Sequence, residues 1–516
     1  MPSVKSVPFE LIHSKVNSVY FFWSLIFVLL LSVQLVNSGI TYIQPTTDIW
    51  ISRSLAFILN FLKGDFSGTY QQYHPGVSLM WLVGIGSGIF AKIISPGTNP
   101  SSFLSPEVFP VYYFWALLPV LLVQSFLETI ILFLLRKIID LKWALLFGVL
   151  LATEPFFLGN ARSIHLDTLV TLTLFITALC WYQVLTKSGK IYPWLTGIFF
   201  GLGLATKITT LYLAPFMLLT YLPLRKSLKF RNVIYIWLIA SVTFYLFFPA
   251  MWKTPVEVAL KVFNEGIFET GITEVSRPFL LLDLPPSIIS ILAYPLTILW
   301  RLSAIATLGL IVFLVGITKS KHNLNLDFLK YISLYFFGYL IMMTIPSKKI
   351  YRYALPLLPV IILYSTYGIL ILTNLLKRVI NPQIIITSIV LMSLMNVIWN
   401  GPNFMATFNP LIGGISQAGK VIDLNEDATN YFEVATYLNS LNIPGDSTIA
   451  SYDWLILGLL TQTETVSIRR SEKPLGSTYS LISSSRGQEY LGNNFEQIKT
   501  FYIHGYPYWQ LYRRIK

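Results

Sequence analysis

Side chains that could bind a phosphate group lie in three short stretches between long apolar runs. A charge near the centre of a bilayer costs roughly 2.5–3.5 kcal/mol, so charges at such positions are candidates for function. Cations gathered at a membrane boundary would bind an anionic lipid head group such as a phosphate. The alternative is that they are ordinary basic residues at helix ends, with their stems in the membrane and their charges in water. The basic candidates are Arg162, His165, Lys207, Lys348, Lys349 and Arg352, and Glu154, Asp167 and Tyr353 are further candidates in the same stretches.

Two further candidates lie in the segment that follows the first apolar run. Asp48 could accept a proton from a hydroxyl group if its ionised form is available. Alternatively, Thr46, Thr47 or Asp48 caps a helix that extends over 49–62. His74 precedes Pro75 and Gly76. It could serve as a ligand or a proton donor, or it could have only a structural role.

Composition limits the class of protein that carries these residues. Of the 516 residues, 54% are hydrophobic and 12% are charged, and the mean hydropathy is +0.63. Soluble proteins carry roughly 25% charged residues. These values exclude a disordered chain and a coiled coil, and they argue against a soluble enzyme. They favour a polytopic α-helical membrane protein.

Eleven apolar runs are long enough to cross a bilayer. Two more, 76–94 and 286–298, are interrupted by glycine or proline and would make thirteen; either could be interfacial, re-entrant or spanning. We expect 76–94 to lie on or dip into the outer face, or to cross paired with a second segment. The eleven are about 19–38, 111–135, 143–159, 167–185, 192–206, 208–223, 233–250, 299–317, 329–345, 354–374 and 383–400. We interpret the first as an uncleaved membrane span rather than a signal peptide.

Basic clusters predict the orientation of these spans, because Lys and Arg accumulate in cytoplasmic loops. With eleven spans and a cytoplasmic N-terminus, all six clusters fall on the cytoplasmic side. We attribute the net charge of +13 to this bias rather than to nucleic-acid binding. The clusters are Lys5/Lys15, Arg136/Lys137/Lys142, Lys187/Lys190, Arg225/Lys226/Lys229/Arg231, Lys319/Lys321/Lys330 and Lys377/Arg378.

This orientation predicts two domains. Residues 1–400 form the transmembrane domain, with outer-face loops at 39–110 and 251–298. Residues 401–516 form a small extracytoplasmic α/β domain, with a helix over 429–441 and strands at 447–452 and 499–502. The single cysteine, Cys180, excludes an intramolecular disulfide.

Sequence motifs for other chemistries are absent. The chain contains neither a Walker phosphate loop nor a GxGxxG loop, so a nucleotide-driven reaction is not expected. No ligand spacing typical of a metal site is visible, and dependence on a divalent metal is left open.

The order of motifs resembles the GT-C membrane glycosyltransferases that use polyprenyl-phosphate sugars. It is most similar to glycosyltransferase family 39, the protein O-mannosyltransferase-like group, with the lipid A aminoarabinose transferases as relatives. The resemblance covers nearly the whole chain. It rests on Asp48, Thr69-Tyr-Gln-Gln-Tyr-His-Pro-Gly-Val77 with Met80-Trp81, Glu154-Pro-Phe-Phe157 with Arg162 and Asp167, Gly203-Leu-Ala-Thr-Lys207, Ser347-Lys-Lys-Ile-Tyr-Arg-Tyr-Ala-Leu-Pro-Leu-Leu-Pro359, Phe408-Asn-Pro-Leu-Ile-Gly-Gly414 and Ala435-Thr-Tyr-Leu-Asn439.

The resemblance implies roles for these residues. Asp48 would be the general base on the acceptor hydroxyl, and Asp167 would orient a basic residue or help to bind a metal or sugar. His74 and Glu154 would lie in active-site loops. Two departures from the family pattern put the acceptor class in question: Ile49 follows Asp48 where members often carry Asp-Glu, and Glu154-Pro155 replaces Asp-Pro. The donor phosphate and sugar would be held by Arg162, His165, Asp167, Lys207, Lys348, Lys349, Arg352 and Tyr353.

The resemblance implies an inverting transfer of mannose or a similar sugar from a polyprenyl phosphate to a hydroxyl group on the outer membrane face. The acceptor would be a protein, a lipid or a glycan, and the location the plasma membrane of a prokaryote. The alternatives are a polytopic transporter or lipid flippase, and a ligase of surface glycans. A transporter would favour charges near the bilayer midplane in two related halves, and neither is seen in the sequence.

Overall fold

The structure of the chain is a computed structural model. It describes residues 9–36, 38, 46–97, 99, 102–186, 189–224, 230–269, 280–317, 325–346, 348–424, 429–441, 443–468, 476–484, 491 and 494–515. Several residues of the predicted cytoplasmic clusters lie outside this part of the chain, namely Lys5, Lys187, Arg225, Lys226, Lys229, Lys319 and Lys321. Ser347 of the predicted donor-binding segment also lies outside it.

Helices make up most of the described residues. The first ten are α1 (Phe9–Leu35), α2 (Thr47–Leu62), α3 (Val77–Ile89), α4 (Phe109–Leu135), α5 (Leu141–Ala152), α6 (Pro155–Ala161), α7 (Asp167–Thr186), α8 (Ile191–Thr206), α9 (Leu213–Leu224) and α10 (Phe230–Phe247). The next six are α11 (Pro255–Phe263), α12 (Pro286–Arg301), α13 (Ala304–Gly316), α14 (Leu326–Thr344), α15 (Leu358–Leu376) and α16 (Pro382–Asn400). Short 3-10 helices at Ile208–Tyr212 and Tyr351–Leu357 precede α9 and α15.

The chain is an integral membrane protein. Among the described residues, seven helical segments are long and apolar enough to cross a bilayer, and two bent helix pairs would raise the number to nine. Three shorter apolar helices accompany them, at Val19–Leu35, Ile191–Thr206 and Ile208–Pro223. The predicted polytopic helical fold is confirmed, and the number of eleven spans stays a prediction. The seven are Val77–Ile94, Phe109–Leu135, Asp167–Thr186, Phe230–Phe247, Leu326–Thr344, Tyr351–Leu376 and Pro382–Asn400.

Helix α3 has both ends near helix termini on one side of the molecule. At its start, the backbone N–H of Gly76 donates to the carbonyl of Thr206, at the end of α8. At its end, the ring of Phe90 lies 5.4 Å from that of Tyr112, in the first turn of α4. The hydroxyl of Tyr113, beside Tyr112, reaches the loop after α6. This geometry favours a helix that lies along one membrane face, although its length and composition would allow it to cross.

Two of the predicted continuous spans are broken. The run 143–159 is divided into α5 and α6, which meet at 66°, and the run 299–317 begins at a 116° bend between α12 and α13. Pro155 explains the first break, because proline lacks the N–H that a helix needs and disfavours helical backbone at the residue before it. At the second break, the Ser303 side chain accepts a hydrogen bond from the N–H of Ala306 and begins a new helix.

A small α/β domain ends the chain, as predicted. Its five-stranded sheet has the order β2-β1-β3-β5-β4, with β1 (Thr448–Ser451), β2 (Glu464–Ser467), β3 (Tyr479–Ser483), β4 (Phe495–Ile503) and β5 (Tyr506–Arg514). Strands β2, β1 and β3 are parallel, whereas β3, β5 and β4 are antiparallel. Three short helices precede or interrupt the sheet: α17 (Gly414–Ala418), α18 (Tyr431–Ser440) and α19 (Trp454–Gly458).

The C-terminal region contacts the preceding part of the chain at several points. The His504 ring stacks on Trp399 at the end of α16, with 6.2 Å between ring centroids. The N–H of Leu281 donates to the carbonyl of Val421 at 2.7 Å. The predicted domain boundary between residues 400 and 401 stays a prediction, as do the outer-face loops 39–110 and 251–298.

Candidate functional site

Asp167 is the centre of a buried charge cluster. It is the first residue of α7, and its Oδ1 accepts a hydrogen bond from Lys207 Nζ at 2.6 Å. Its Oδ2 lies 3.0 Å from Arg352 Nε and 2.9 Å from His165 Nδ1. All four side chains are buried. The starts of α7 and α15 and the end of α8 therefore meet at this cluster, although the residues are far apart in the sequence.

The cluster borders a largely apolar cavity of about 550 Å³. Lys207 Nζ lies 4.0 Å from the centre of the Tyr353 ring, and Tyr353 lines the cavity together with His74 and Lys348. These three side chains give the cavity a polar region. The remaining wall is formed mainly by the segment from Ile208 to α9 and by the end of α14, namely Ile208, Thr209, Leu211, Tyr212, Ala214, Pro215, Gly266, Met342, Met343 and Pro346.

The charges around Asp167 do not cancel. One carboxylate faces the two cations Lys207 and Arg352, and burial lowers the pKa of His165 to about 4, which leaves its ring neutral at pH 7. Burial and the nearby Lys207 also hold the pKa of His74 well below its usual range. The cluster thus carries one excess positive charge, and Lys348 adds another at the cavity wall. A phosphate group is the kind of ligand that such a site attracts.

Asp48 lies in the first turn of α2, near a residue that touches the cluster. Trp50, two positions further on, places its ring edge-on to that of His165 at 6.2 Å. The close approach of Gly76 to Trp50 requires glycine, because a side chain at this positive-φ position would overlap the indole. Burial raises the pKa of Asp48, whereas the backbone N–H of Ile49 and the charge of Arg53 act to lower it. Within the described part of the chain, the buried Asp48 Oδ1 has no hydrogen-bond partner.

The alternative role of Asp48 as a helix cap is not what the structure shows. Helix α2 begins at Thr47, and the residue before it, Thr46, has a positive φ of 75° and makes no side-chain cap. Asp48 therefore lies inside the first turn, where the helix dipole favours a negative charge.

Three predicted site residues point away from the Asp167 cluster. Arg162 donates from Nη2 to the carbonyl of Val33 at 2.6 Å, and its guanidinium lies 4.3 Å from the Phe404 ring centre. Lys349 donates to the carbonyls of Met343 and Thr344, at 3.2 and 2.7 Å, and to that of Pro346. Lys349 therefore caps the end of α14, and burial lowers its pKa to about 8.

Glu154 is the third of these residues. Its Oε1 accepts from the backbone N–H of Ser303 at 2.8 Å, and its Oε2 accepts from the Ser303 hydroxyl at 2.7 Å. Glu154 therefore joins the break between α5 and α6 to the bend between α12 and α13. Its contacts are those of a structural link between two irregular helix ends.

Sequence reasoning missed Arg53. Its Nη2 donates to Gln72 Oε1 at 3.1 Å, and its guanidinium lies 5.0 Å from the Trp50 ring centre. It connects α2 to the loop that carries His74, and its charge acts to lower the pKa of Asp48. Its position as a cation on the predicted helix 49–62 was a signal that could have suggested it.

The described residues show no group of three His, Cys, Asp or Glu side chains that could hold a metal ion. The role of Asp167 as a metal ligand thus gains no support from its neighbours, which are mainly cations.

Fold and site define an integral membrane protein with an apolar cavity that leads to a buried cluster of cations. Residues 104–252 match the family model described as dolichyl-phosphate-mannose-protein mannosyltransferase. The match spans 149 of the 516 residues and includes Arg162, His165, Asp167 and Lys207. It confirms the predicted resemblance to the GT-C superfamily of membrane glycosyltransferases.

Similar solved structures extend over more of the chain at low identity. ArnT from Cupriavidus metallidurans bound to undecaprenyl phosphate is 11% identical, with a TM-score of 0.45 over 95% of this chain and 97% of that chain. The oligosaccharyltransferase of Archaeoglobus fulgidus in complex with zinc and sulfate is 12% identical, with a TM-score of 0.47 over 89% of this chain and 68% of that chain. The search of curated proteins finds no match.

Proposed function

We propose that the protein is an inverting glycosyltransferase that uses a polyprenyl-phosphate sugar. It transfers mannose or a similar sugar to a hydroxyl group on the outer face of the plasma membrane of a prokaryote. The acceptor is a protein, a lipid or a glycan. In this proposal, the N-terminus is cytoplasmic and the domain formed by residues 401–516 is extracytoplasmic.

The cavity beside the Asp167 cluster carries the proposal. Its apolar wall, formed largely by the 3-10 segment Ile208–Tyr212 and by α9 and α14, fits a prenyl chain that enters between helices. Its polar region, with Lys348 and the adjacent Lys207, fits the phosphate of the same molecule. A ligand with a long hydrocarbon chain and an anionic head satisfies both regions. The family description names such a donor, a dolichyl-phosphate sugar.

The chemistry requires a base and a stabilised leaving group. The acceptor oxygen attacks the anomeric carbon on the face opposite the phosphate, so the carbon–oxygen bond to the phosphate breaks as the new bond forms. Asp48 takes the proton of the hydroxyl group, and Lys207, Lys348 and Arg352 stabilise the negative charge of the departing polyprenyl phosphate. Asp167 holds Lys207 and Arg352 in place through its two oxygens.

Two observations support Asp48 as the base. Its helix carries Trp50 against His165, so Asp48 lies within one helical turn of a residue that contacts the cluster. Its buried Oδ1 has no partner among the described residues, and a substrate hydroxyl would supply one. A carboxylate oxygen with these properties can accept a proton without first breaking another hydrogen bond.

The test is sugar release from radiolabelled polyprenyl-phosphate-mannose by the purified protein in lipid. Wild type is compared with Asp48→Asn and with the control Glu257→Gln. Glu257 is an exposed carboxylate on α11 whose ion pair with Lys261, at 2.7 Å, contributes little to stability. We expect turnover by wild type and the control, and a loss of at least about 100-fold in Asp48→Asn, the usual effect of removing a general base.

The other outcomes are equally informative. Equal turnover by wild type and a folded Asp48→Asn variant would support the transferase activity and show that Asp48 is not its general base. Absence of turnover by wild type, with several polyprenyl-phosphate sugars and broad acceptor extracts, would contradict the proposed function.

A further inference from the structure

A second cavity lies at the opposite end of the transmembrane helices. It has a volume of about 320 Å³ and is lined by the loop between α4 and α5, by the start of α5, by the residue before α14 and by part of α15. Its polar lining distinguishes it from the apolar cavity beside the Asp167 cluster, which is called the donor cavity below after its proposed ligand. The lining includes Arg136, Lys137, Asp140, Asn325 and Tyr367.

Helix α14 extends from one cavity to the other, so its length gives the distance between them. Asn325, which precedes α14 and caps it, lines the second cavity, whereas Met343 near the end of α14 lines the donor cavity. A helix of 19 residues rises about 28 Å, which is close to the roughly 30 Å thickness of the hydrocarbon core. The second cavity therefore lies at the opposite membrane face, where phospholipid head groups of the other leaflet are found.

The cations of this cavity suit a phosphate. Arg136 places its guanidinium over the rings of Trp23 and Phe133, at 5.0 and 4.6 Å from their centres. Stacking occupies the face of a guanidinium and leaves its N–H edge for an anion. Lys137 adds a second positive charge. These groups belong to the sequence cluster whose Lys and Arg residues predicted a cytoplasmic loop.

Tyr367 supplies an independent indication of a ligand. Its side chain is 4% exposed, and its hydroxyl has no hydrogen-bond partner among the described residues. A buried hydroxyl without a partner is costly, so a ligand oxygen at this position would be favoured. The hydroxyl can donate to a phosphate oxygen in the cavity.

Asp140 indicates that the phosphate-bearing ligand also carries a positively charged group. Two cations and one carboxylate leave a net charge of +1, which is less than a phosphate monoester would require. A carboxylate beside a phosphate site repels a second anion but accepts hydrogen bonds from an ammonium group. The phosphodiester and primary ammonium of an ethanolamine phospholipid match this pattern of charges.

We infer that this cavity binds the head group of phosphatidylethanolamine from the leaflet opposite the donor. Arg136 and Lys137 bind the phosphodiester, Tyr367 donates to it, and Asp140 accepts from the ammonium group. The inference does not depend on the proposed transferase activity, because it concerns the other end of the molecule.

The test is lipid binding by the delipidated full-length protein, measured by native mass spectrometry and by thermal stabilisation. The probes are phosphatidylethanolamine, phosphatidylcholine, which has a similar phosphodiester but an ammonium without N–H groups, and inorganic phosphate. We expect wild type to prefer phosphatidylethanolamine to phosphatidylcholine. The double variant Arg136→Gln/Lys137→Gln should bind phosphatidylethanolamine about tenfold more weakly, as expected for a lost charge-assisted contact.

The matched control is Lys377→Gln/Arg378→Gln. It removes the same charge at the end of α15 without touching the cavity, and it should bind like wild type. Asp140→Asn should remove the preference over phosphatidylcholine while binding of the phosphodiester persists. If the Arg136 substitution unfolds the protein, Lys137→Gln alone should still weaken binding severalfold.

Three results would overturn the inference. They are equal binding by wild type and a folded Arg136→Gln/Lys137→Gln variant, an unchanged lipid preference in Asp140→Asn, and displacement of the lipid by inorganic phosphate at millimolar concentration. The last result would assign the cavity to free phosphate.

Discussion

At the scale of single residues, Asp167 explains how several cations can lie together inside the protein. Buried charges are tolerated when they are paired and hydrogen-bonded. Asp167 meets Lys207 through one oxygen and Arg352 and His165 through the other. The carboxylate thereby holds two cations near the donor cavity. Because it neutralises only one of them, the cluster keeps a net charge of +1.

Removing the Asp167 charge should destabilise the protein strongly. In Asp167→Asn, Lys207 and Arg352 would remain buried without a carboxylate, and loss of one partner of a buried pair typically costs about 3–5 kcal/mol. The measurement is thermal unfolding of the purified protein in detergent. Asp167→Asn/Lys207→Met removes one unpaired cation as well, so it should recover part of the loss. A melting temperature for Asp167→Asn equal to that of wild type would contradict this account.

Activity should fall as the pH falls through the pKa of Asp48. The general base must be ionised, and burial raises the pKa of Asp48 above its usual range. The acid side of the profile of kcat/KM should therefore show a midpoint above the roughly 3.9 of an unperturbed aspartate. The measurement is sugar transfer at a series of pH values in constant ionic strength. An acid limb that is still present in the residual activity of Asp48→Asn would assign it to another group.

The sequence predicted the types of residue at the site better than their orientation. Asp167, Lys207, Arg352, His165 and Tyr353 do lie together, because three segments place their polar residues at the same ends of neighbouring helices. Arg162 and Lys349 were predicted for the same reason, yet they point toward carbonyl groups of Val33 and the end of α14. Periodicity indicates the membrane face of a residue, but side-chain direction depends on the packing of helices that are distant in the sequence.

At the scale of elements, the two helix breaks are the feature that hydropathy could not resolve. Apolar composition continues through 143–159 and 299–317, so each run was predicted as one span. Pro155 was visible as a helix breaker, but the 116° bend before α13 depends on contacts with another element. Glu154 and Ser303 supply them, since the carboxylate binds both the N–H and the hydroxyl of the serine.

The Glu154–Ser303 link should show strong coupling in a double-mutant cycle. Glu154→Ala leaves the buried Ser303 N–H without its acceptor, and hydrogen bonds to charged groups contribute about 1.5–3 kcal/mol. Ser303→Ala removes the hydroxyl, which also caps α13 at Ala306, and retains the backbone donor to Glu154. The measurement is the stability of both single variants and of the double variant. We expect a coupling energy of about 0.5–3 kcal/mol, and additive effects would show that the link does not hold the two breaks together.

At the scale of the whole molecule, the cavity next to the Asp167 cluster predicts that the length of the polyprenyl chain affects how tightly the proposed donor binds. Its wall is formed by α9 and α14, and Ala214 on α9 is one of the small residues that keep it open. Sequence analysis predicted the polar end of this site from its charges. It could not predict the apolar cavity, because a cavity arises from the packing of several helices and has no sequence motif of its own.

Ala214→Phe should weaken the binding of long polyprenyl donors more than that of short ones. The larger side chain would exclude part of the prenyl chain, and losing contact with about two methylene groups corresponds to roughly a tenfold increase in KM. A farnesyl-phosphate sugar, which reaches less far along the cavity, should be affected less. The measurement is KM and kcat for both donors with wild type and the variant. The expected pattern is an increase in KM with little change in kcat, because the reacting atoms are untouched.

The matched control is Leu218→Phe, which enlarges a side chain on the same helix. Leu218 is 61% exposed on the lipid-facing surface, one turn beyond Ala214, and it does not line the cavity. It should leave both KM values unchanged. If Ala214→Phe changed neither KM, the prenyl chain would lie elsewhere. The apolar cavity would then lose its role, although Asp48 and the Asp167 cluster could still bind the sugar and the phosphate.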